Sequence, residues 1–87
     1  MNDVNYVVLG RRIRILRKYR RMTQEQLAEA AGPSIQHLSN AENARTKLAH
    51  AKIKNIANAL HVSLDELAGD GMDQKQVRPE IAALFEE

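Results

Sequence analysis

The sequence predicts an all-α fold, and three of its features carry that prediction. Apolar residues recur at the three-to-four-residue spacing that places them on one face of a helix, and the alternation typical of strands is absent. Helix-capping residues precede several of these segments. The length of 87 residues fits one small domain. We therefore expect a bundle of five helices with a short additional helix at the C-terminus.

The first helix is predicted to begin after Asp3 and to run to about Arg20. Its apolar stripe comprises Val8, Leu9, Ile13, Leu16 and Tyr19. Gly10 lies inside this pattern, where glycine costs about 1 kcal/mol against alanine, so we expect another helix to cross closely there. Arg17 directly follows the core position Leu16 and is expected to border the core.

The segment from Thr23 to Glu42 contains two helix starts. Thr23 can cap one helix, and Gln26 completes a capping-box spacing. Ser34 can cap a second helix after the break at Gly32. The inward-facing residues of the two helices are Leu27, Ala28, Ala31, Leu38 and Ala41. Two short helices joined by about three residues are the signature of a helix-turn-helix.

The outer face of the second of these helices is polar and has no charge before Glu42. Gln36 and Asn40 can each pair bidentately with adenine, and Ile35 can meet a thymine methyl group. A surface helix of a generic small domain more often carries Glu and Lys there. This face favours the readout of bases, and a polar surface helix without function is the alternative.

The segments after this helix continue the helical pattern. The basic loop from Asn43 to Lys47 lies where phosphate contacts are expected, and a merely solvated loop is the alternative. A fourth helix is predicted at roughly Ala49 to Leu60 from its apolar spacing. Ser63 can then cap a short fifth helix.

The C-terminal part divides into a linker and a last helix. Residues 1–68 form the expected domain, residues 69–76 are a polar linker with two glycines, and in residues 77–87 Pro79 can start a helix. The apolar stripe of that helix comprises Val77, Ile81, Leu84 and Phe85. It has no obvious partner inside the monomer, so we expect it to mediate dimerisation. The alternative is that the helix frays or folds back onto its own bundle.

Charge and composition limit the classes of function that the chain can have. Residues 1–22 carry seven Arg or Lys residues and one Asp. Residues 65–87 carry two Arg or Lys residues and seven Asp or Glu residues. The basic end suits a polyanion or an acidic membrane surface, but its cations surround a helix whose apolar face is needed for the core. No apolar run approaches the ~20 residues of a membrane span. The absence of cysteine is compatible with a cytoplasmic location.

Neither catalysis nor a cofactor is expected. Ser39 and His37 are two residues apart on one helix, so they cannot face each other as nucleophile and base. Glycine-rich phosphate loops and paired carboxylates are also lacking. His50 and His61 have no carboxylate or thiol partner at ligand spacing, so we expect no metal site.

Four motifs then stand in a fixed order without insertion. They are Leu9-Gly10-x-x-Ile13-Arg14-x-Leu16-Arg17, Thr23-Gln24-x-x-Leu27-Ala28, Gly32-x-Ser34 with Leu38-Ser39-x-x-Glu42, and Ile53-x-x-Ile56-Ala57-x-x-Leu60-x-Val62-Ser63-Leu64-x-x-Leu67. With them, residues 9–67 resemble the DNA-binding domain of the Cro and phage-repressor (XRE-type) transcription regulators. The resemblance implies a five-helix, lambda-repressor-like bundle whose third helix enters the major groove of DNA.

The resemblance also implies roles for individual residues. The positions that would read bases are Ser34, Ile35, Gln36, His37 and Asn40. The positions that would bind phosphates are Gln24, Asn43, Arg45, Thr46 and Lys47. Gln24 would also brace the third helix. Arg17 and Glu42 would form an inner ion pair that ties the first helix to the end of the third.

Three positions depart from the family pattern. Pro33 replaces an aliphatic residue of the turn and is expected to forfeit an apolar contact. Ala41 replaces a larger aliphatic residue and would bury less surface. Ala44 replaces a glycine and disfavours a positive φ. These departures bear on stability and on the geometry of the turn rather than on function.

The implied function is sequence-specific binding of double-stranded DNA by a homodimeric transcriptional repressor. Its two recognition helices would occupy successive major grooves and block a promoter. One alternative is an antitoxin-type module that wraps a partner protein through its last helix and autoregulates its operon, which a neighbouring toxin gene would favour. Another is a purely structural bundle, which a lack of salt-dependent DNA binding would favour.

Overall fold

The computed structural model describes residues 5–69 and 77–86, which form an all-α fold without any strand. The helices are α1 (Tyr6–Tyr19), α2 (Gln24–Ala31), α3 (Ile35–Glu42), α4 (His50–Ala59), α5 (Leu64–Ala68) and α6 (Pro79–Leu84). The predicted class, five helices and a short sixth, is confirmed. Asp3 and most of the predicted linker lie outside the described residues. None of the described helices is both long and apolar enough to cross a membrane.

One hydrophobic core joins all six helices. In this core α1 packs against α3 and α5, while α4 packs against α2 and α5. The largest fully buried side chains are Leu9, Ile13, Leu16, Leu27, Leu38, Ile53, Ile56, Leu60, Leu67 and Ile81. Nearly all of the positions predicted from helical spacing therefore form the interior, and the helical period alone located them.

The start and the outer edges of α1 differ from the prediction. The helix begins at Tyr6 because the Asn5 side chain accepts hydrogen bonds from the Val7 and Val8 amides. Val8 and Tyr19 are 38% and 45% exposed, so their assignment to the buried stripe is wrong. The neighbouring helices cover a narrower face of α1 than the apolar stripe that the sequence predicts.

Two arginines of the basic N-terminal part bind backbone carbonyls at helix ends. Arg20 Nε donates to the Leu60 carbonyl at 2.8 Å, where α4 ends. Arg12 Nη1 donates to the Gly69 carbonyl at 2.9 Å, just after α5. Cations satisfy the unpaired carbonyls and the negative dipole at helix C-termini. Part of the basic charge of α1 therefore holds the bundle together.

The last helix, α6, packs on its own bundle, so the expectation that its stripe lacks a partner is wrong. Ile81 is 1% exposed and belongs to the core, while Val77, Leu84 and Phe85 pack against that core. Arg78 anchors the start of the helix, since its backbone amide and its Nε both donate to Glu66 Oε2, at 2.8 and 3.0 Å. These contacts use the apolar face that the sequence predicts for dimerisation.

Candidate nucleic-acid interface

The helix-turn-helix is formed by α2, a tight turn and α3. Thr23 and Gln26 form the predicted capping box at the start of α2. Gly32 ends α2 with a φ of 106°, a left-handed conformation that favours glycine. Ser34 Oγ then accepts from the His37 amide at 3.0 Å and starts α3. Pro33 is buried, so the turn stays packed at the position where we expected a lost contact.

The outer face of α3 presents the predicted base-reading side chains. Ser34, Ile35 and Gln36 are exposed, whereas His37 and Asn40 are half-buried. Ile35 is 46% exposed although it is a large aliphatic residue. Gln36 Nε2 donates to Asn40 Oδ1 at 3.2 Å, one helical turn away. The two amides therefore support each other and still offer donors and an acceptor to a partner.

Glu42, the last residue of α3, connects that helix to α1 and α2. Its side chain is fully buried. Arg17 donates to it through Nε at 2.7 Å and through Nη2 at 3.1 Å, and Gln24 Nε2 donates at 3.1 Å. Burial raises the pKa of the Glu42 carboxyl, but the hydrogen bonds from Arg17, Gln24 and Arg14 outweigh it and lower the pKa overall. The carboxylate stays charged and fixes the position of α3.

Two residues expected on phosphates have intramolecular partners in the structure. Gln24 bonds to Glu42 and so braces the end of α3. Asn43 Oδ1 accepts from Arg14 Nη2 at 2.9 Å, and Asn43 Nδ2 donates to the Ser39 carbonyl at 2.9 Å. Asn43 thus joins α1 to the last turn of α3.

The loop after α3 carries the remaining cations of the predicted site. Ala44 takes a φ of 59°, so alanine adopts here the left-handed conformation that it disfavours. Its amide donates to the Ala41 carbonyl at 3.1 Å, which closes the end of α3. Beyond this reversal Arg45 and Lys47 are exposed and Thr46 is half-buried. The loop, which follows the predicted base-reading helix directly, therefore presents two exposed cations.

Arg14, for which the sequence predicted no role, also lies at the candidate interface. The Arg14 side chain is 44% exposed, and its guanidinium contacts both Glu42 and Asn43 at the junction of α3 and the loop. Arg14 precedes Arg17 by three residues and therefore shares its face of α1. That spacing is the signal in the sequence, because Glu42 is the predicted partner of Arg17.

Comparison with known proteins decides the family. Residues 8–68 match the family described as "Helix-turn-helix domain". The chain belongs to this helix-turn-helix family. The matched range spans α1 to α5 and ends before α6. The resemblance that the motifs carried is thereby confirmed.

Individual relatives of the helix-turn-helix chain agree with this assignment. An HTH-type transcriptional regulator of Bacillus subtilis is 41% identical over 61 residues, which cover 70% of this chain and 88% of that protein. The immunity repressor protein of Bacillus phage phi105 is 33% identical over 64 residues, but the match spans only 44% of its length. The P22 c2 repressor, in its crystal structure with a synthetic operator, is 31% identical in sequence. The match covers 72% of this chain and 97% of that chain, with a TM-score of 0.67. The five-helix, repressor-like bundle is confirmed.

Proposed function

We propose that the protein binds double-stranded DNA at specific sequences and represses transcription, with α3 in the major groove. The exposed face of α3 carries the proposal, because it presents Ile35 and the amide pair of Gln36 and Asn40 instead of charged groups. Amide side chains pair with adenine and aliphatic groups meet thymine methyls. The repressor and operator-bound relatives support the same function.

The proposed binding mode divides the interface into two sets of contacts. Ser34, Ile35, Gln36, His37 and Asn40 contact base edges or the phosphates beside them. Arg45, Thr46 and Lys47 bind the backbone from the loop, which sets the position of α3 on the duplex. Gln24 and Asn43 act mainly by holding α3, since their polar groups already bond within the protein.

Repression in this proposal is steric and uses a homodimer. Two copies on half-sites about 34 Å apart would place their α3 helices in successive major grooves and cover a promoter in the cytoplasm. The apolar side chains of α6 are covered within the monomer. We therefore propose that the subunits contact each other around α4 and α5. The antitoxin alternative required a free last helix, and we do not propose it.

Selection of binding sites from random duplex DNA tests the proposed function. We expect the protein to enrich one sequence, with two-fold symmetry if the protein binds as a dimer. Arg45→Ala should weaken binding to all sequences alike and lower the slope of log affinity against log salt by about one. Lys54→Ala, which removes an exposed charge from α4, is the control. Failure to enrich any sequence would contradict the proposal.

A further inference from the structure

We propose that Arg14 is an additional phosphate-binding residue of the DNA interface, with Asn43 and Glu42 holding its guanidinium in place. This inference rests on the proposed function. Arg14 belongs to α1, whereas the other cations of the proposed interface belong to the loop after α3. The contact would therefore tie a second element of the bundle to the DNA backbone.

The hydrogen bonds of Arg14 fix its guanidinium without using all of its donors. Its Nη2 donates to Asn43 Oδ1 at 2.9 Å, and its Nε lies at the longer distance of 3.5 Å from Glu42 Oε1. A guanidinium carries five N–H donors in a planar fork. The remaining donors suit a phosphate, which arginine can bind in a bidentate manner.

The charges around Glu42 leave a positive charge at the surface. One carboxylate faces two guanidinium groups, and Arg17 makes the closer contact at 2.7 Å with a side chain that is only 11% exposed. Arg14 is farther from the carboxylate and is 44% exposed. Arg17 therefore neutralises Glu42, and the charge of Arg14 is available to an anion at the surface.

The position of Arg14 on α1 distinguishes it from the arginines that hold the bundle. Arg12 and Arg20 donate to carbonyls at the ends of α5 and α4. Arg14 instead bonds to Asn43, which follows α3 directly and precedes the basic loop. Asn43 in turn donates to the Ser39 carbonyl in α3. These two bonds link the guanidinium to the helix that the proposed function places in the groove.

Salt titration of DNA binding tests this role with variants that separate charge from hydrogen bonding. Arg14→Gln retains an amide that can donate to Asn43 but removes the charge, whereas Arg14→Lys retains the charge. Lys54→Gln removes an exposed charge from α4 and is the control. Affinity for the selected site and for unrelated duplex is measured between 0.05 and 0.3 M salt, and denaturation confirms that each variant is folded.

We expect Arg14→Gln to lower the salt slope by about one and to weaken binding roughly tenfold at 0.1 M salt on both duplexes. Arg14→Lys and Lys54→Gln should keep the slope of the unmodified protein. A slope for Arg14→Gln equal to that of the unmodified protein would overturn the inference, as would an equal loss of slope in Lys54→Gln. If the unmodified protein selects a sequence, either result contradicts only the role of Arg14. If it selects no sequence, the proposed function is contradicted as well.

Discussion

Gly10 of α1 lies directly against the backbone of Glu42 in α3. A Cβ atom at position 10 would approach the Glu42 carbonyl oxygen to 2.8 Å and would also collide with the Ala41 carbonyl oxygen. Both obstacles are backbone atoms, which cannot move without shifting α3. The absence of a side chain at Gly10 thus sets how closely α1 and α3 approach, and with it the position of the proposed DNA-reading face.

Gly10→Ala should destabilise the protein, although alanine is the better helix former by about 1 kcal/mol. The clash with α3 outweighs that gain because the helices must separate. Chemical denaturation measures the effect, and binding to the selected site should weaken in the variant that remains folded. An increase in the free energy of unfolding would mean that the two helices do not touch at this point.

The pair of Arg17 and Glu42 should show strong coupling in a double-mutant cycle. Glu42→Ala should destabilise the protein by about 3 to 5 kcal/mol, because it leaves the shielded Arg17 charge without its partner. Combining it with Arg17→Ala should recover part of this loss. Glu29→Ala, at an exposed position of α2, is the control partner and should add to Arg17→Ala without coupling. Additive effects in the first cycle would show that the pair does not interact.

Glu66 should make stability fall in acid. Burial raises the pKa of Glu66, but hydrogen bonds from Arg78 and from the Ser63 amide outweigh it and lower the pKa from 4.5 to about 2. The stabilisation is therefore complete above the unfolded value near pH 4.5 and is lost as the pH falls towards 2. Unfolding of Glu66→Gln between pH 6 and 2 should show a shallower pH dependence, with Glu80→Gln as the charge control. An unchanged profile would contradict the arrangement.

The burial of Ile81 predicts that α6 stabilises the monomer. Ile81→Ala should lower the free energy of unfolding by about 2 to 5 kcal/mol, whereas Glu80→Ala on the exposed side of α6 should have little effect. Removal of residues 77–87 should also lower the free energy of unfolding. It should leave the oligomeric state unchanged, as measured by analytical ultracentrifugation. A truncated chain that loses a dimer but keeps its unfolding free energy would instead place α6 at a subunit interface.

Local sequence signals predicted most of the fold. The capping residues Thr23, Ser34 and Ser63 and the apolar periods located the helices, since these features act within a few residues. Gly10 indicated the helix crossing because glycine inside a helix needs a packing reason. The buried core followed from the same periodicity.

Contacts between distant segments could not be predicted in this way. Arg12 and Arg20 belong to the basic N-terminal part, and nothing local indicates that they reach carbonyls 57 and 40 residues away. The apolar stripe of α6 showed that the helix needs a partner but not whether the partner lies in the same chain. In the site, the exposed face of α3 was predictable from its polarity. The hydrogen bond from Arg14 to Asn43 was not, because it depends on how α1 crosses α3.

The Gln36 and Asn40 amides provide the most direct test of the central claim that α3 reads DNA bases. Binding-site selection should be repeated with Gln36→Ala, Asn40→Ala and the control Asn58→Ala, which removes an exposed amide from α4. Each α3 variant should lose about 1 to 3 kcal/mol on the selected site and lose preference at one base position. The control should enrich the same sequence as the unmodified protein. Unchanged base preferences in both α3 variants would contradict the assignment of α3 as the recognition helix.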